Sequence, residues 1–192
     1  MNWTLSRSTP ECSDLVDQYL LASGKALCLA ANFEATCKHI LRVFRITDAI
    51  RSGSSNDEVR EVALRNNSQR WQSLKLARAI EEIGNADDVD DEDAKTLGVA
   101  RLSRNYVAHD SAGMGPIALV TPAMITQMAS DLMPQVIQLA RGEWLVSAWS
   151  FEIGEREPAS VDRDKYVAAV VAWVFGELAY QIALPSVDCG CD

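Results

Sequence analysis

Apolar residues recur at spacings of three and four along most of the chain, and runs with a period of two are nearly absent, so the pattern predicts helices rather than strands. Its clearest stripe is Ala26, Ala30, Phe33, Cys37, Ile40 and Phe44, which share one face of a helix predicted from Lys25 to about Arg51. Pro10, Ser13 and Asp14 mark an earlier helix start, and Gly24 reads as a break between the two. The stretch "RSGSSND", 51–57, reads as a loop with capping residues. Residues 57–83 predict one or two helices with Leu74, Leu76, Ala77 and Ile80 as the apolar stripe. After the acidic loop "GNADDVDDEDA", 84–94, a helix is predicted from about Asp91 to Ala108, carrying Leu97, Val99, Ala100, Leu102 and Tyr106. Acids on its first turn suit the helix dipole. "DSAGMGP", 110–116, ends it with two glycines and a proline, so that end is expected to fray. A further helix runs from Pro122 to about Arg141 and on toward Trp149, with Pro134 expected to kink or split it. A linker, 154–162, precedes a last helix over about Asp164–Ala183. The single strand-like segment, "PIALVTP", reads as a loop, and no fixed-period repeat is visible. The expected fold is an all-α bundle of four main helices with extra N- and C-terminal helices.

At 192 residues the chain suits one domain and can bury a core without disulfides or metals to staple it. A core over about 20–142, a C-terminal extension over about 143–185 and a tail, 186–192, are the expected parts. The formal charge of −9 argues against broad coating of nucleic acid through phosphates. It leaves room for a local basic region, because Lys38, Arg42, Arg45, Arg51, Arg60, Arg65, Arg70, Lys75 and Arg78 all precede the acidic loop. Five cysteines cannot form a complete intrachain disulfide set; Cys28 and Cys37 fall in an apolar helical pattern and read as buried, and a reducing cytoplasm fits.

The first residues lack a secretory signal pattern, and "YVAAVVAWVFG", 166–176, is shorter than the ~20 residues a bilayer span needs. No membrane and no cofactor are therefore expected. The acids over 87–93 lack the glycine and glutamate of an EF-hand loop, and His39 reads as a surface residue. "CGCD" at 189–192 reads as a disordered tail. Trp144, Phe151, Trp149, Trp173 and Phe175 are expected to pack the C-terminal helices together.

"RNYVAHDS", 104–111, concentrates the candidate chemistry: an arginine, an amide, one of the two histidines and an acid. Arg104 shares a helical row with Leu97 and Ala108, near an apolar face, where an arginine needs a carboxylate, carbonyl or phosphate partner. His109 stands at the helix C-terminus, where the dipole favours positive charge. Five residues apart, the two lie roughly 140° apart on an ideal helix and do not face each other. Glu34 shares a row with Leu27, Ala31 and Leu41, and Arg104 or Arg101 is its natural partner. On the residues alone, a C-terminal histidine with a core-edge salt bridge stands beside the reactive reading.

"RNYVAH", 104–109, resembles the R-x(4–6)-H signature of the HEPN superfamily, in which a polar residue commonly follows the arginine. "ANFEATCKHILR", 31–42, resembles that family's earlier helix, with an acid facing the bundle, and the likeness covers about residues 20–140. The resemblance implies a HEPN-like bundle and a metal-independent endoribonuclease, often a toxin or anti-phage defence effector. It implies a homodimer whose two motifs meet at the interface, with RNA as substrate and an antitoxin or other regulatory protein as partner. Arg104, His109 and Asn105 would then be catalytic, with Glu34, Arg101 and Tyr106 supporting. A non-catalytic HEPN-like bundle that binds a protein or RNA partner is the alternative, and an acidic antitoxin-like subunit is a third reading.

Overall fold

The computed structural model describes residues 13–51, 74–86, 89–111, 113, 120–155 and 160–179. These hold helices α1 (Ser13–Arg51), α2 (Leu76–Gly84), α3 (Asp91–His109), α4 (Pro122–Glu155) and α5 (Arg163–Phe175), and no strand. The long helix α1 packs against all four others, and α3 and α5 each pack against α4. The core gathers Tyr19, Phe33, Cys37 and Ile40 of α1, Ile83 of α2, Leu97, Ala100 and Val107 of α3, and Ile125, Leu132, Val136, Leu139 and Val146 of α4.

The stripe Ala26–Ala30–Phe33–Cys37–Ile40 is buried as its spacing predicts, and Phe44 is half-buried with its ring 6.0 Å from that of Trp149. Gly24 does not break the helix: α1 is one 39-residue helix that runs through it. Glycine costs a helix interior only about 1 kcal/mol, and the flanking Ala22, Ser23 and Ala26 are buried against the bundle, so packing wins. Pro134 likewise sits inside an unbroken α4. It lies on the exposed side, where water can serve the carbonyl one turn back that loses its partner.

Helix ends follow local chemistry. The Asp90 carboxylate accepts from the Asp93 amide at 2.8 Å and starts α3, with Asp91, Glu92 and Asp93 on the first turn. Asp162 caps α5 in the same way at 2.9 Å, and Gly176, at φ +50°, closes α5 at Phe175, well short of Ala183. α4 runs across residues 142 and 143, so core and C-terminal extension share one helix. Gly142 of α4 stands close against Ala100 of α3: a Cβ there would lie 2.4 Å from Ala100 Cβ and 3.1 Å from the Phe33 ring.

Several apolar positions are placed differently from expectation. On α2 the buried stripe is Leu76, Ala79, Ile80 and Ile83, while Ala77 is exposed. On α3, Val99 and Leu102 face outward, Leu102 with 60% of its surface accessible. Cys28 is exposed, since the buried arc of α1 passes through Ala26, Leu29 and Ala30 instead. Phe151 and Trp173 are also exposed; Trp173 meets Lys25, whose Nζ lies 5.7 Å from the ring centroid and donates to the Trp173 carbonyl at 2.7 Å. The expected loop at 52–57, any helix over 57–73, "PIALVTP" up to residue 119 and the 186–192 tail lie outside the described residues. Among the described residues, no helix is long and apolar enough to cross a membrane.

Candidate functional site

The flank of α1 that carries Glu34 lies beside the flank of α3 that carries Arg104. Between them is an open groove of about 300 Å³, lined by Leu27, Ala30, Ala31, Glu34, Ala35, Lys38, Arg104 and Ala108. Small side chains on both helices leave this space and keep the long polar ones at its rim.

Glu34 is the hub. Its Oε2 accepts from Arg104 Nη2 at 2.5 Å, and its Oε1 accepts from Lys38 Nζ at 2.8 Å. Of the two arginines considered for Glu34, the structure selects Arg104. Arg101 is half-buried and makes no ion pair among the described residues. Arg104 Nη1 has Asn105 Oδ1 at 3.4 Å, so the amide after the arginine touches the guanidinium only at the limit of a hydrogen bond. The guanidinium has five N–H donors, and Glu34 engages one terminal nitrogen, so capacity for an anionic oxygen remains. Burial pushes the Glu34 carboxyl pKa up, but the Lys38 hydrogen bond and the Arg104 charge outweigh it and hold the carboxyl below its usual value.

His109 is exposed on the last turn of α3 and does not line the groove. The structure thus joins Arg104, Asn105 and Glu34, and leaves His109 at the helix end beyond them. That end is not frayed. The amides of Asp110 and Ser111 donate to the Tyr106 carbonyl at 2.8 and 3.1 Å. Ser111 Oγ donates to the Val107 carbonyl, and the buried Tyr19 hydroxyl donates to the Ser111 carbonyl, both at 2.6 Å. Tyr106 is half-buried against the core, where burial raises its pKa, with Asp131 and Asp110 adding to the effect. Tyr19 and Lys38 are the positioning residues that sequence reasoning passed over. Lys38 was legible as the i+4 partner of an acid; the contact from Tyr19 to a carbonyl 92 positions away carries no local signal.

The basic stretch before the acidic loop is partly neutralised. Arg45 pairs with Glu82, and Arg78 with Glu81 and Glu82. Arg42, Lys75 and His39 are exposed, and Arg60, Arg65 and Arg70 lie outside the described residues. Among the described residues, no group of three or more His, Cys, Asp or Glu side chains could hold a metal ion. Scans against protein-family models, curated proteins and solved structures return no match to this chain.

The ion pair makes a pH prediction. A carboxyl whose folded pKa is depressed contributes stability above its unfolded value, near 4.5, and loses it as pH falls through the folded value. Wild type is expected to exceed Glu34→Gln in stability by up to about 1 kcal/mol near pH 7, with the gap closing below about pH 4.5. Thermal melts of both proteins across that range check it; a gap that stays constant to about pH 3 contradicts the ion-pair account.

Proposed function

We propose that the chain is a HEPN-type, metal-independent endoribonuclease in which two copies of the α3 end form one site. The observation that carries this reading is Arg104, presented in an open groove, touched by Asn105 and followed on the same helix by an exposed His109. Arg104 and His109 do not share that groove, so one chain supplies an incomplete site and a two-fold partner would complete it. Leu20, Leu27 and Ala31 share the outer side of α1 and give an apolar stripe that such a partner would cover.

The chemistry is general acid–base transfer at a phosphodiester. One imidazole takes the 2′-OH proton, O2′ attacks phosphorus, and the bond to O5′ breaks as a second, protonated imidazole gives its proton to the leaving oxygen. The products are a 2′,3′-cyclic phosphate and a 5′-hydroxyl. Arg104 stabilises the charge on the transition-state oxygens, and Asn105 orients the phosphate. Glu34 holds Arg104 in place until a phosphate shares it. A toxin or defence role, with an antitoxin as regulator, belongs to the same reading.

The expected result is cleavage of single-stranded RNA in EDTA, leaving cyclic-phosphate ends, with activity per chain falling on dilution as the dimer dissociates. The Glu34–Arg104 ion pair itself favours a second reading, a non-catalytic bundle that binds a protein or RNA partner. Absence of cleavage from a protein shown to be dimeric would decide for it.

A further inference from the structure

A second cavity, of about 180 Å³, opens between α4 and α5 and is lined by Trp144, Ser147, Ala148, Phe151, Ser160, Val161 and Tyr166. Its size is close to the ~150 Å³ that holds one benzene ring, so it suits a single small group rather than a drug-sized ligand. Trp144 is pinned by donation from Nε1 to the Val161 carbonyl at 2.9 Å. Of the three hydroxyl-bearing residues in the cavity lining, two are engaged by the same carboxylate. Ser147 Oγ donates to Glu143 Oε1 at 2.9 Å, and the Tyr166 hydroxyl donates to Glu143 Oε2. What lines the cavity is therefore mostly aromatic and aliphatic carbon, with the exposed Ser160 beside it.

Directly behind those hydroxyls lies Glu143, 4% exposed. Asn32 Nδ2 also donates to it, at 2.9 Å, so its oxygens receive three donors, the pattern of an ionised carboxylate. No cation pairs with it among the described residues. Aromatic faces backed by a buried, uncompensated negative charge attract a weakly hydrated cation.

We infer that this cavity is a binding site for a small organic ammonium group, held by the faces of Trp144, Tyr166 and Phe151 in the field of Glu143. The site is separate from the α1–α3 groove and independent of the nuclease reading. Asn32, which joins α1 to Glu143, lies roughly 200° around the helix from Glu34.

The test compares choline with 3,3-dimethylbutan-1-ol, its uncharged isostere, by following the indole N–H resonance of Trp144 in the full chain, assigned through Trp144→Phe. Choline is expected to give a saturable shift, with an affinity at least about ten-fold above that of the alcohol. Glu143→Gln, if folded, is expected to remove most of that preference while leaving alcohol binding unchanged. Equal affinity for the two compounds would show an apolar cavity only, and the absence of a saturable shift from either would show no site. Both outcomes overturn the inference, and the isostere comparison needs no variant to fold.

Discussion

Gly142→Val lowers the stability of the chain by about 3 kcal/mol or more, a shift of roughly 6–12 °C in Tm for a protein of this size. The cause is the close approach of α3 and α4. The first atom of any side chain at 142 would stand 2.4 Å from Ala100 Cβ, and Ala100 cannot rotate away because its Cβ is fixed to the backbone. The Phe33 ring, 3.1 Å off on the other side, is fully buried and blocks the remaining escape. The helices must separate, and every core contact between them is loosened together. Gly24→Ala is the internal control: a Cβ there meets nothing within 4 Å. It is expected to raise stability by roughly 0.5–1 kcal/mol through reduced freedom of the unfolded chain. Thermal melts of the three proteins check both signs. Equal Tm for wild type and Gly142→Val would mean that the α3–α4 contact is not as close as the structure places it.

The second large effect concerns the end of α3. Arg104→Ala and His109→Ala are each expected to reduce RNA cleavage at least about 100-fold, the usual scale for losing a positioned proton carrier or a charge on the transition state. Neither change removes core packing. His109 is exposed, and when Arg104 is truncated Glu34 keeps Lys38, so no orphaned carboxylate is left. Arg104→Lys is expected to fail nearly as badly, because a point charge on a flexible stem cannot both pair with Glu34 and fork onto a phosphate. A melting curve unchanged for His109→Ala and lowered by no more than a few degrees for Arg104→Ala, alongside lost cleavage, separates this account from a folding defect.

The helical character and most helix positions were legible in the sequence, because they depend on spacing. The Ala26–Ile40 stripe, the acids on the first turn of α3 and the buried Leu97 and Ala100 each carry a local signal. The errors came where tertiary packing overrode a local preference. Gly24 lowers helix propensity yet sits on an outward face of a helix held along its other side, and Pro134, expected to kink or split α4, does not split it. Cys28, Trp173 and Phe151 were misjudged because residue type says less than angular position about burial. Within the site, an arginine partner for Glu34 followed from charged groups on part-apolar rows, and the fold chose Arg104 over Arg101. The Tyr19 hydroxyl that fastens the α3 end, and the Glu143 network that unites α1, α4 and α5, were not legible. Their partners are brought together only by the fold.

The most direct measurement is cleavage of a single-stranded RNA in EDTA by wild type and by His109→Ala, with circular dichroism and Tm recorded on the same samples. The account predicts that wild type cuts to 2′,3′-cyclic phosphate ends and that the folded His109→Ala protein does not. A folded His109→Ala protein that cuts as fast as wild type would contradict it.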